Sequence, residues 1–431
     1  MSKTHFRFSA IATAALLLGC TLQPNFAPRT PASLQSQAAA SAARTTAIEN
    51  SANFEPTFQN SFLSKRSLTR SGYTVVKVSY TNNDQVSQLS QLGMDIWMVT
   101  PRYVLGQVNE EVFTRLRNSR LKFEAITELG FSARNDFDPK YHTYDELVAE
   151  LQAVTSKHAQ IATLHDIGDT WEKSQGKANR DIWAVHLSGQ GAPEAKPGIV
   201  FLGNHHAREL VTVEMPLRLI NLLTENYGKD PEITRLLDTR DVWIVPMVNP
   251  DGHIHAEAGE SWRKNTHEFG RYDGTDLNRN YGYQWGGGGA DTSPSGETYR
   301  GEKPFSEPET QAVRDFISGH KNLKIMMSYH SFSNLILWPW GYTKQRVADK
   351  RLSEIGNQLG KITGYKPEQA SDLYVASGIT DDFTFGQLGL LSFTTEIGGW
   401  GDGFDPPFSS VEAFWNQNRP AALYLIDLAG K

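Results

Sequence analysis

The segment PGIVFLGNHHARE, residues 197–209, decides the fold of the C-terminal part of this chain. It is an apolar run that follows a proline and ends in polar residues, which is typical of a strand buried on both faces of a sheet. Two other segments have the same pattern, DVWIVPMVNP at 241–250 and LKIMMSYH at 323–330. Together they predict an α/β domain with a mixed, largely buried sheet flanked by helices.

Helical periodicity separates these strands. Amphipathic patterns predict helices at 144–158, 214–228, 306–320 and 411–429. In the third helix, Ser306 and Glu309 have the spacing of a capping box. Ligands of such sheets bind at the carboxyl ends of the strands. We therefore expect the functional site of this domain, which we place at 137–431, at that edge of the sheet.

Residues 56–133 show a shorter and different pattern. Strand-like alternation occurs at 73–80, 95–100, 103–108 and 121–126, and helical patterns lie between the first and second and between the third and fourth of these. The order βαββαβ predicts a small α+β sandwich. The polar segment 132–140, which contains Arg134, indicates a linker and a candidate processing site.

The N-terminus has the features of an export signal. A basic segment precedes an apolar stretch at 8–18, which is shorter than the roughly 20 residues that span a bilayer. The stretch ends in LLGC, which resembles the lipobox of bacterial lipoproteins. This resemblance implies a signal peptide at 1–19 and lipidation of Cys20, followed by a flexible Ala/Ser-rich tether at 20–55. An ordinary secretory signal is the alternative.

Composition limits the function further. The chain has 42 Lys+Arg against 48 Asp+Glu and no long basic run, which argues against nucleic acid as the main partner. Cys20 is the only cysteine, so an internal disulfide framework and a Cys-rich zinc module are excluded. We expect an exported protein that is either anchored to a membrane, the outer membrane if the source has one, or secreted after processing.

Three residues at strand ends indicate a metal site. His206 and Glu209 are three residues apart where a strand gives way to a helix, and His330 ends another apolar run. Two histidines and one glutamate, with one open position, form a common catalytic zinc site. A His-x-x-Glu pair alone is more often a pair of surface residues than a metal site, and His205 competes with His206 as a ligand.

Eight segments, in this order, resemble those of zinc metallocarboxypeptidases of the carboxypeptidase A/B type. They are GNHHARE, NPDGH, SWRKN, GTDLNRNYG, FSEPET, SYHSFSNLILWPWG, YVASG and FTTEIG. The resemblance covers almost all of residues 138–431, and residues 60–130 look like the propeptide that precedes the enzyme in this family. It implies one Zn²⁺ in the catalytic domain and hydrolysis of the C-terminal peptide bond of peptides and proteins.

The resemblance also implies a role for each of ten residues. They are the zinc ligands His206, Glu209 and His330; Asp276, which orients the first zinc histidine; the general base Glu396; Arg263, which polarises the scissile carbonyl; Arg208, which faces the substrate; and Asn278, Arg279 and Tyr374, which hold the terminal carboxylate. These roles fit the chemistry, because a carboxylate base and a preorganised cation are what amide hydrolysis needs.

Asp381 follows Tyr374 by seven residues. In family members that prefer a C-terminal Lys or Arg, an Asp occupies this position at the floor of the substrate pocket. A buried anion that faces an incoming cation gives such selectivity. The resemblance therefore implies a preference for C-terminal Lys or Arg, whereas the alternative is that Asp381 or Asp382 caps the following segment. The role of the Gly-rich loop at 286–301 is not indicated by the sequence.

Two other functions are compatible with these residues. A zinc hydrolase of the same architecture would act on cell-wall peptides or N-acyl amino acids. A catalytically silent surface lipoprotein would bind peptides, although the presence of Glu396 and of all three ligands argues against it. The expected partners are peptide or protein C-termini, a lipid membrane through Cys20, and an activating protease for the propeptide-like module.

Overall fold

The computed structural model describes residues 72–126, 137–399 and 401–431. The predicted signal peptide, the tether with Cys20, and Arg134 lie outside the described residues, so their assignments stay predictions. The described part belongs to one compact unit, Pro56–Lys431. Within it, we find no helix with the length and apolar character that a membrane span requires.

The N-terminal module is a four-stranded antiparallel sheet with two helices, in the predicted order βαββαβ. The strand order in the sheet is β2-β3-β1-β4. Asn82 and Asn109 begin the two helices, because each side chain accepts a hydrogen bond from the backbone N–H three residues later. The elements are β1 (Tyr73–Ser79), α1 (Asn83–Gln91), β2 (Asp95–Val99), β3 (Tyr103–Asn109), α2 (Glu110–Asn118) and β4 (Lys122–Ile126).

The C-terminal domain confirms the predicted mixed sheet flanked by helices. Its strands are β5 (Ala162–Asp169), β6 (Asp181–Leu187), β7 (Gly198–Leu202), β8 (Asp241–Val245), β9 (Glu268–Phe269), β10 (Tyr272–Asp273), β11 (Leu323–His330), β12 (Leu335–Trp338), β13 (Lys366–Gln369) and β14 (Leu391–Glu396). Its α-helices are α3 (Tyr144–Lys157), α4 (Trp171–Ser174), α5 (Val211–Asn226), α6 (Pro231–Thr239), α7 (Pro250–Glu257), α8 (Pro308–Gly319), α9 (Lys350–Thr363), α10 (Ala370–Leu373), α11 (Thr380–Gly386) and α12 (Val411–Leu428). Short 3₁₀ helices occur at Pro193–Ala195, Leu277–Arg279 and Phe408–Ser410.

The large sheet has the strand order β13-β12-β14-β11-β7-β8-β6-β5, and β9 and β10 pair separately. Its four central strands, β14, β11, β7 and β8, are parallel, so their carboxyl ends share one edge. All five residues of β7 are buried. Ile199 and Phe201 point into one hydrophobic core, and Val200 and Leu202 point into the other. Burial on both faces explains why this strand is a continuous apolar run.

The start of α8 corrects one prediction. Ser306 and Glu309 do not form a capping box, and Glu307 is the N-cap residue without a side-chain capping bond. Glu309 instead accepts a hydrogen bond from the backbone N–H of Trp171 at 2.8 Å. A hydrogen bond to a residue far away in the sequence has therefore replaced the predicted capping bond. The capping box of this domain is at Thr143 and Glu146, where α3 begins.

Candidate active site

Three buried side chains form a group at the carboxyl edge of the sheet. The Nδ1 atoms of His206 and His330 are 3.2 Å apart, and the Glu209 carboxylate lies 2.8 Å from the first and 3.1 Å from the second. Their candidate ligand atoms all lie within 4.8 Å of one another. Burial alone would raise the pKa of Glu209, but the two histidines hold it below its ordinary value. Burial also lowers the pKa of His330, which favours the neutral, ligating form.

The chain turns sharply between β7 and this group. Gly203 is required there, because a Cβ at this position would lie 2.3 Å from the carbonyl oxygen of Thr212. Asn204 has a φ of 56°, a left-handed conformation that asparagine tolerates better than most residues. Its side-chain amide donates to the carbonyl oxygens of His206 and Ala207, both at 3.2 Å. These contacts fix the loop that presents His206 and Glu209.

His205, the competing ligand, points away from the group. Its Nε2 lies 2.9 Å from the Tyr281 hydroxyl and 3.2 Å from the Thr380 hydroxyl. Burial, with His330 and His206 nearby, lowers its pKa well below the ordinary value. His205 is therefore a neutral residue of the polar core. The structure selects His206 from the adjacent pair.

Asp276 connects the metal group to an arginine. Its Oδ1 lies 3.1 Å from Nε2 of His206, and its Oδ2 accepts from Nε and Nη2 of Arg263 at 3.1 and 2.8 Å. Asp276 is fully buried. Burial would raise its pKa, but Arg263 and His206 hold it well below the ordinary value. A carboxylate in this position fixes the orientation of a metal-binding imidazole.

Glu396 is the last residue of β14. In the parallel register of β11 and β14 it lies opposite His330, the last residue of β11. Burial raises the pKa of Glu396 well above its ordinary value, the nearby Glu209 raises it further, and Arg263 opposes the shift. The register therefore places a carboxylate of raised proton affinity beside a metal-binding histidine, and such a group suits general-base chemistry.

Asn278 and Arg279 lie in the 3₁₀ turn Leu277–Arg279. Arg279 donates through Nη1 to the carbonyl oxygen of Asn278 at 2.8 Å and through Nε to that of Gly289 at 3.2 Å. Its Nη2 lies 3.5 Å from the Tyr374 hydroxyl. The structure thus brings together the three residues predicted to hold a terminal carboxylate.

Asp381 and Asp382 have different surroundings. Asp382 accepts hydrogen bonds from the backbone N–H groups of Gly341 and Tyr342 at 2.9 and 2.8 Å, so it fastens that segment. Asp381 accepts from the Thr394 hydroxyl at 2.8 Å through Oδ2, and its buried Oδ1 has no hydrogen-bond partner among the described residues. Burial raises the pKa of Asp381 to about 6.

Thr394 locates Asp381 relative to the reaction site. Thr394 is two residues before Glu396 on β14, so both side chains lie on the same face of the strand. Asp381, which is hydrogen-bonded to Thr394, therefore lies on that face of β14, farther from the carboxyl edge of the sheet than Glu396. The Oδ1 atom of Asp381 can therefore accept a hydrogen bond from a bound molecule, since no donor among the described residues reaches it.

The N-terminal module contacts the site directly. Asp95, the first residue of β2, accepts from both terminal nitrogens of Arg208, at 2.6 and 2.7 Å. Both residues are buried, and the Arg208 guanidinium also stacks on Phe404, 3.8 Å from the ring centre. Asp95 could not be predicted as a site residue, because nothing in the sequence shows which residues the module places against the catalytic domain.

The Gly-rich loop also binds the module. Arg115 of α2 donates to Asp291 at 3.0 Å and to Ser295 at 2.8 Å. Ser90 of α1 donates to the carbonyl oxygen of Gly289 at 2.8 Å. Gly93 makes close approach possible, because a Cβ there would lie 2.3 Å from the Asp291 carboxylate. These contacts give the loop a structural role that the sequence did not indicate.

The three-residue group fits zinc. Two imidazoles and one carboxylate are the ligand types of catalytic zinc sites, and all three residues are buried. The second nitrogen of His206 is held by Asp276, as metal-binding histidines require. We assign His206, Glu209 and His330 as the residues that would hold the zinc ion.

Comparison with known proteins agrees with this geometry. Residues 147–421 match the family model described as zinc carboxypeptidase. A zinc carboxypeptidase of Saccharothrix mutabilis subsp. capreolus is 37% identical over 273 residues, which cover 60% of this chain and 62% of that protein. Carboxypeptidase A1 of Mus musculus is 33% identical over 399 residues, which cover 83% of this chain and 93% of the mouse protein.

Solved structures extend the comparison to the fold. The carboxypeptidase A of Helicoverpa armigera aligns with a TM-score of 0.69 and 26% identity, over 83% of this chain and 97% of the insect chain. The thrombin-activatable fibrinolysis inhibitor aligns with a TM-score of 0.67 and 26% identity, over 83% of this chain and 98% of that protein. Both alignments extend beyond the residues that match the family model.

Proposed function

Because this chain belongs to the zinc carboxypeptidase family, we propose that its zinc-dependent exopeptidase activity uses Glu396 as the base and Asn278, Arg279 and Tyr374 to hold the terminal carboxylate. The observation that carries this assignment is the register that sets Glu396 opposite His330. A silent peptide-binding lipoprotein would need neither this base nor the complete ligand set.

The side chains divide the reaction among themselves. Glu396 removes a proton from the attacking water and transfers it to the leaving nitrogen. Arg263, held by Asp276, stabilises the negative charge that develops on the scissile carbonyl oxygen. Arg279 suits a terminal carboxylate because its planar group binds carboxylates through two nitrogens. When bound, zinc polarises the carbonyl and activates water as a Lewis acid.

Replacement of Glu396 tests this assignment. We expect Glu396→Gln to lower kcat/KM by about 10²- to 10⁴-fold, because the amide cannot accept the proton, while the zinc content stays the same. The assay follows single-residue loss from peptides by mass spectrometry, on the zinc-loaded chain after limited trypsin treatment and quenching. Glu368→Gln, on the edge strand β13, is the control. Equal activity of Glu396→Gln and wild type would remove Glu396 as the base.

We propose that the pocket prefers a C-terminal Lys or Arg. The support is Asp381, whose buried Oδ1 has no hydrogen-bond partner among the described residues and whose Oδ2 accepts from Thr394, two residues before Glu396 on β14. A cationic side chain would give this carboxylate a charged donor, whereas an apolar side chain would leave it unsatisfied. Asp382 does not compete for this role, because backbone N–H groups already satisfy it.

Asp381→Asn should therefore lower kcat/KM for a C-terminal Lys by about 10- to 100-fold and have little effect on a C-terminal Leu. In the wild type, the Lys-to-Leu ratio of kcat/KM should rise with pH through about 6, because the ionised carboxyl binds the cation. Asp382→Asn is the control and should keep the ratio. A pH-independent ratio, or one that Asp381→Asn does not change, would contradict this specificity.

The same substitution should stabilise the protein. The pKa of Asp381 is about 6 in the folded chain against an ordinary 3.8, so the folded state holds this proton more tightly. Stability from this group is complete below pH 4 and is lost as the pH rises through 6, by about 3 kcal/mol in total. Thermal unfolding of the zinc-loaded proteins at pH 4.5 and 7.5 should show that the advantage of Asp381→Asn grows with pH.

We also propose that the N-terminal module blocks the cleft until a protease cuts the linker near Arg134. In support, Asp95 of the module forms an ion pair with Arg208 of the catalytic domain. Trp97 and Leu105 of the module also pack in one hydrophobic cluster with Phe332 and Phe404 of the catalytic domain. Helix α1 is hydrogen-bonded to the segment that carries Tyr374, because the Val375 N–H donates to the Ser87 hydroxyl at 3.0 Å. One structural neighbour is by its name activatable by thrombin.

Neutralising Asp95 tests the block. Removal of one partner from a buried ion pair is strongly destabilising, so we expect Asp95→Asn to raise the activity of the uncut chain about tenfold or more. After limited proteolysis, variant and wild type should have equal activity. Asp84→Asn breaks an exposed ion pair between the module and Lys344 of the catalytic domain; because exposed pairs contribute little, the uncut chain should stay inhibited. An uncut wild type as active as the cut enzyme would refute the block.

For the location, we propose an exported lipoprotein anchored through Cys20. The support is the sequence LLGC after the apolar stretch. Linker cleavage would then release the catalytic domain, since the anchor would stay with the module. If Cys20→Ser leaves the uncut chain in the membrane fraction, this anchor is wrong.

A further inference from the structure

We propose that Thr380 is a positioning residue for substrate binding: it fixes the side-chain amide of Asn278 so that the NH₂ group faces the substrate's terminal carboxylate. This inference rests on the proposed function, in which Asn278 contacts that carboxylate. Thr380 itself does not contact the substrate in this account. It acts through Asn278.

Two donors of Thr380 converge on one atom of Asn278. The Oδ1 atom accepts from the backbone N–H of Thr380 at 2.9 Å and from its hydroxyl at 3.0 Å. Both residues are buried. If the amide were rotated by 180°, its NH₂ group would meet the backbone donor, and the buried N–H of Thr380 would lose its acceptor. Oxygen therefore faces Thr380, and nitrogen faces the opposite side.

The hydrogen-bond network behind Thr380 is consistent with a hydroxyl that donates to Asn278. Its Oγ1 lies 3.2 Å from Nε2 of His205, and the Nδ1 of His205 lies 3.4 Å from the Ser328 hydroxyl. A proton on Nε2 makes His205 a donor toward both the Tyr281 hydroxyl, at 2.9 Å, and the Thr380 hydroxyl. The Thr380 hydroxyl can accept from His205 and still donate its own proton to Asn278, because a hydroxyl has two lone pairs and one proton. His205 thus belongs to the support of Asn278, Arg279 and Tyr374, which we call the substrate clamp.

On its other side, the Asn278 amide nitrogen lies 3.4 Å from Nε2 of His330, which is too long for a strong hydrogen bond. This leaves the NH₂ group able to donate to a ligand. A neutral amide that donates to a carboxylate forms a charge-assisted hydrogen bond. Its geometry depends on the amide orientation, because the oxygen in the same place would repel the carboxylate.

Thr380 also links the two parts of substrate recognition. It precedes Asp381 in the first turn of α11, so one turn supports both the terminal carboxylate and the pocket floor. A second bond ties this turn to the clamp, because the Tyr281 N–H donates to the carbonyl oxygen of Gly378 at 2.9 Å. Gly378 is needed at this approach, since a Cβ would lie 2.2 Å from the carbonyl oxygen of Arg279.

The test compares Thr380→Val, which removes only the hydroxyl, with Thr380→Ser, which restores it. On the zinc-loaded chain after limited proteolysis, we expect Thr380→Val to raise KM for peptides with a free C-terminus about tenfold, with kcat within about twofold of wild type. Thr380→Ser should return KM to within about twofold of wild type. N-acetyl-arginine and N-acetyl-argininamide, as competitive inhibitors, differ only at the carboxylate. Thr380→Val should weaken the acid about tenfold and leave the amide unchanged.

Thr384→Val is the matched control. Its hydroxyl donates to the carbonyl oxygen of Thr380 within the same helix and lies 2.7 Å from Ser392, and KM should stay at the wild-type value. Thr380→Ala replaces the valine variant if thermal unfolding or zinc content shows that the latter does not fold. A wild-type KM in Thr380→Val, an equal loss for acid and amide, or no rescue by serine would each overturn the inference. Absence of hydrolysis by the wild type would overturn the proposed function itself, and the wild-type assay therefore distinguishes that outcome from failure of the inference about Thr380.

Discussion

The active site depends on one fully buried carboxylate, that of Asp276. One of its oxygens holds the second nitrogen of His206 and accepts the backbone N–H of Asn278 at 3.0 Å, and the other holds Arg263. A buried carboxylate stays ionised only where cations and donors surround it. The metal-binding histidine, the arginine that we propose stabilises the developing charge, and the start of the proposed substrate clamp therefore share one fixed point, and none of them can shift alone.

The sheet supplies the second half of the arrangement. Its four central strands are parallel, so His330 and Glu396 end neighbouring strands at the same level. The His206–Glu209 loop follows β7, the strand on the other side of β11. Burial on both faces makes this register rigid, because a one-residue slip would exchange the side chains that pack in the two cores and disrupt both. The geometry of the candidate site thus follows from core packing.

Most of the fold could be predicted because local sequence patterns indicate its strands and helices. Strands buried on both faces are continuous apolar runs, and the helices α3 and α12 bury side chains at intervals of three and four residues. The prediction failed where a tertiary contact replaced a local one. Glu309 has capping-box spacing, yet it bonds Trp171 and Asn265 in other parts of the chain. The pattern alone could not distinguish the two outcomes.

The residues of the candidate site could be predicted from the sequence, whereas some of the side chains that contact them could not. His206, Glu209 and His330 follow strands, so their convergence follows from topology. The contact between Asp95 and Arg208 depends on how the module docks, and the choice between Asp381 and Asp382 depends on which carboxylate meets backbone N–H groups. Pairings over such distances in sequence are set by packing.

The most direct test of the central claim is zinc affinity and kcat in Asp276→Asn, measured side by side on the trypsin-treated chain. We expect zinc affinity to fall about 10- to 100-fold, since a partner of His206 is weakened. We also expect kcat to stay low at saturating zinc, since Arg263 has lost its counter-charge. Full recovery of kcat once zinc is saturating would show that Asp276 serves the metal alone and would contradict the shared fixed point.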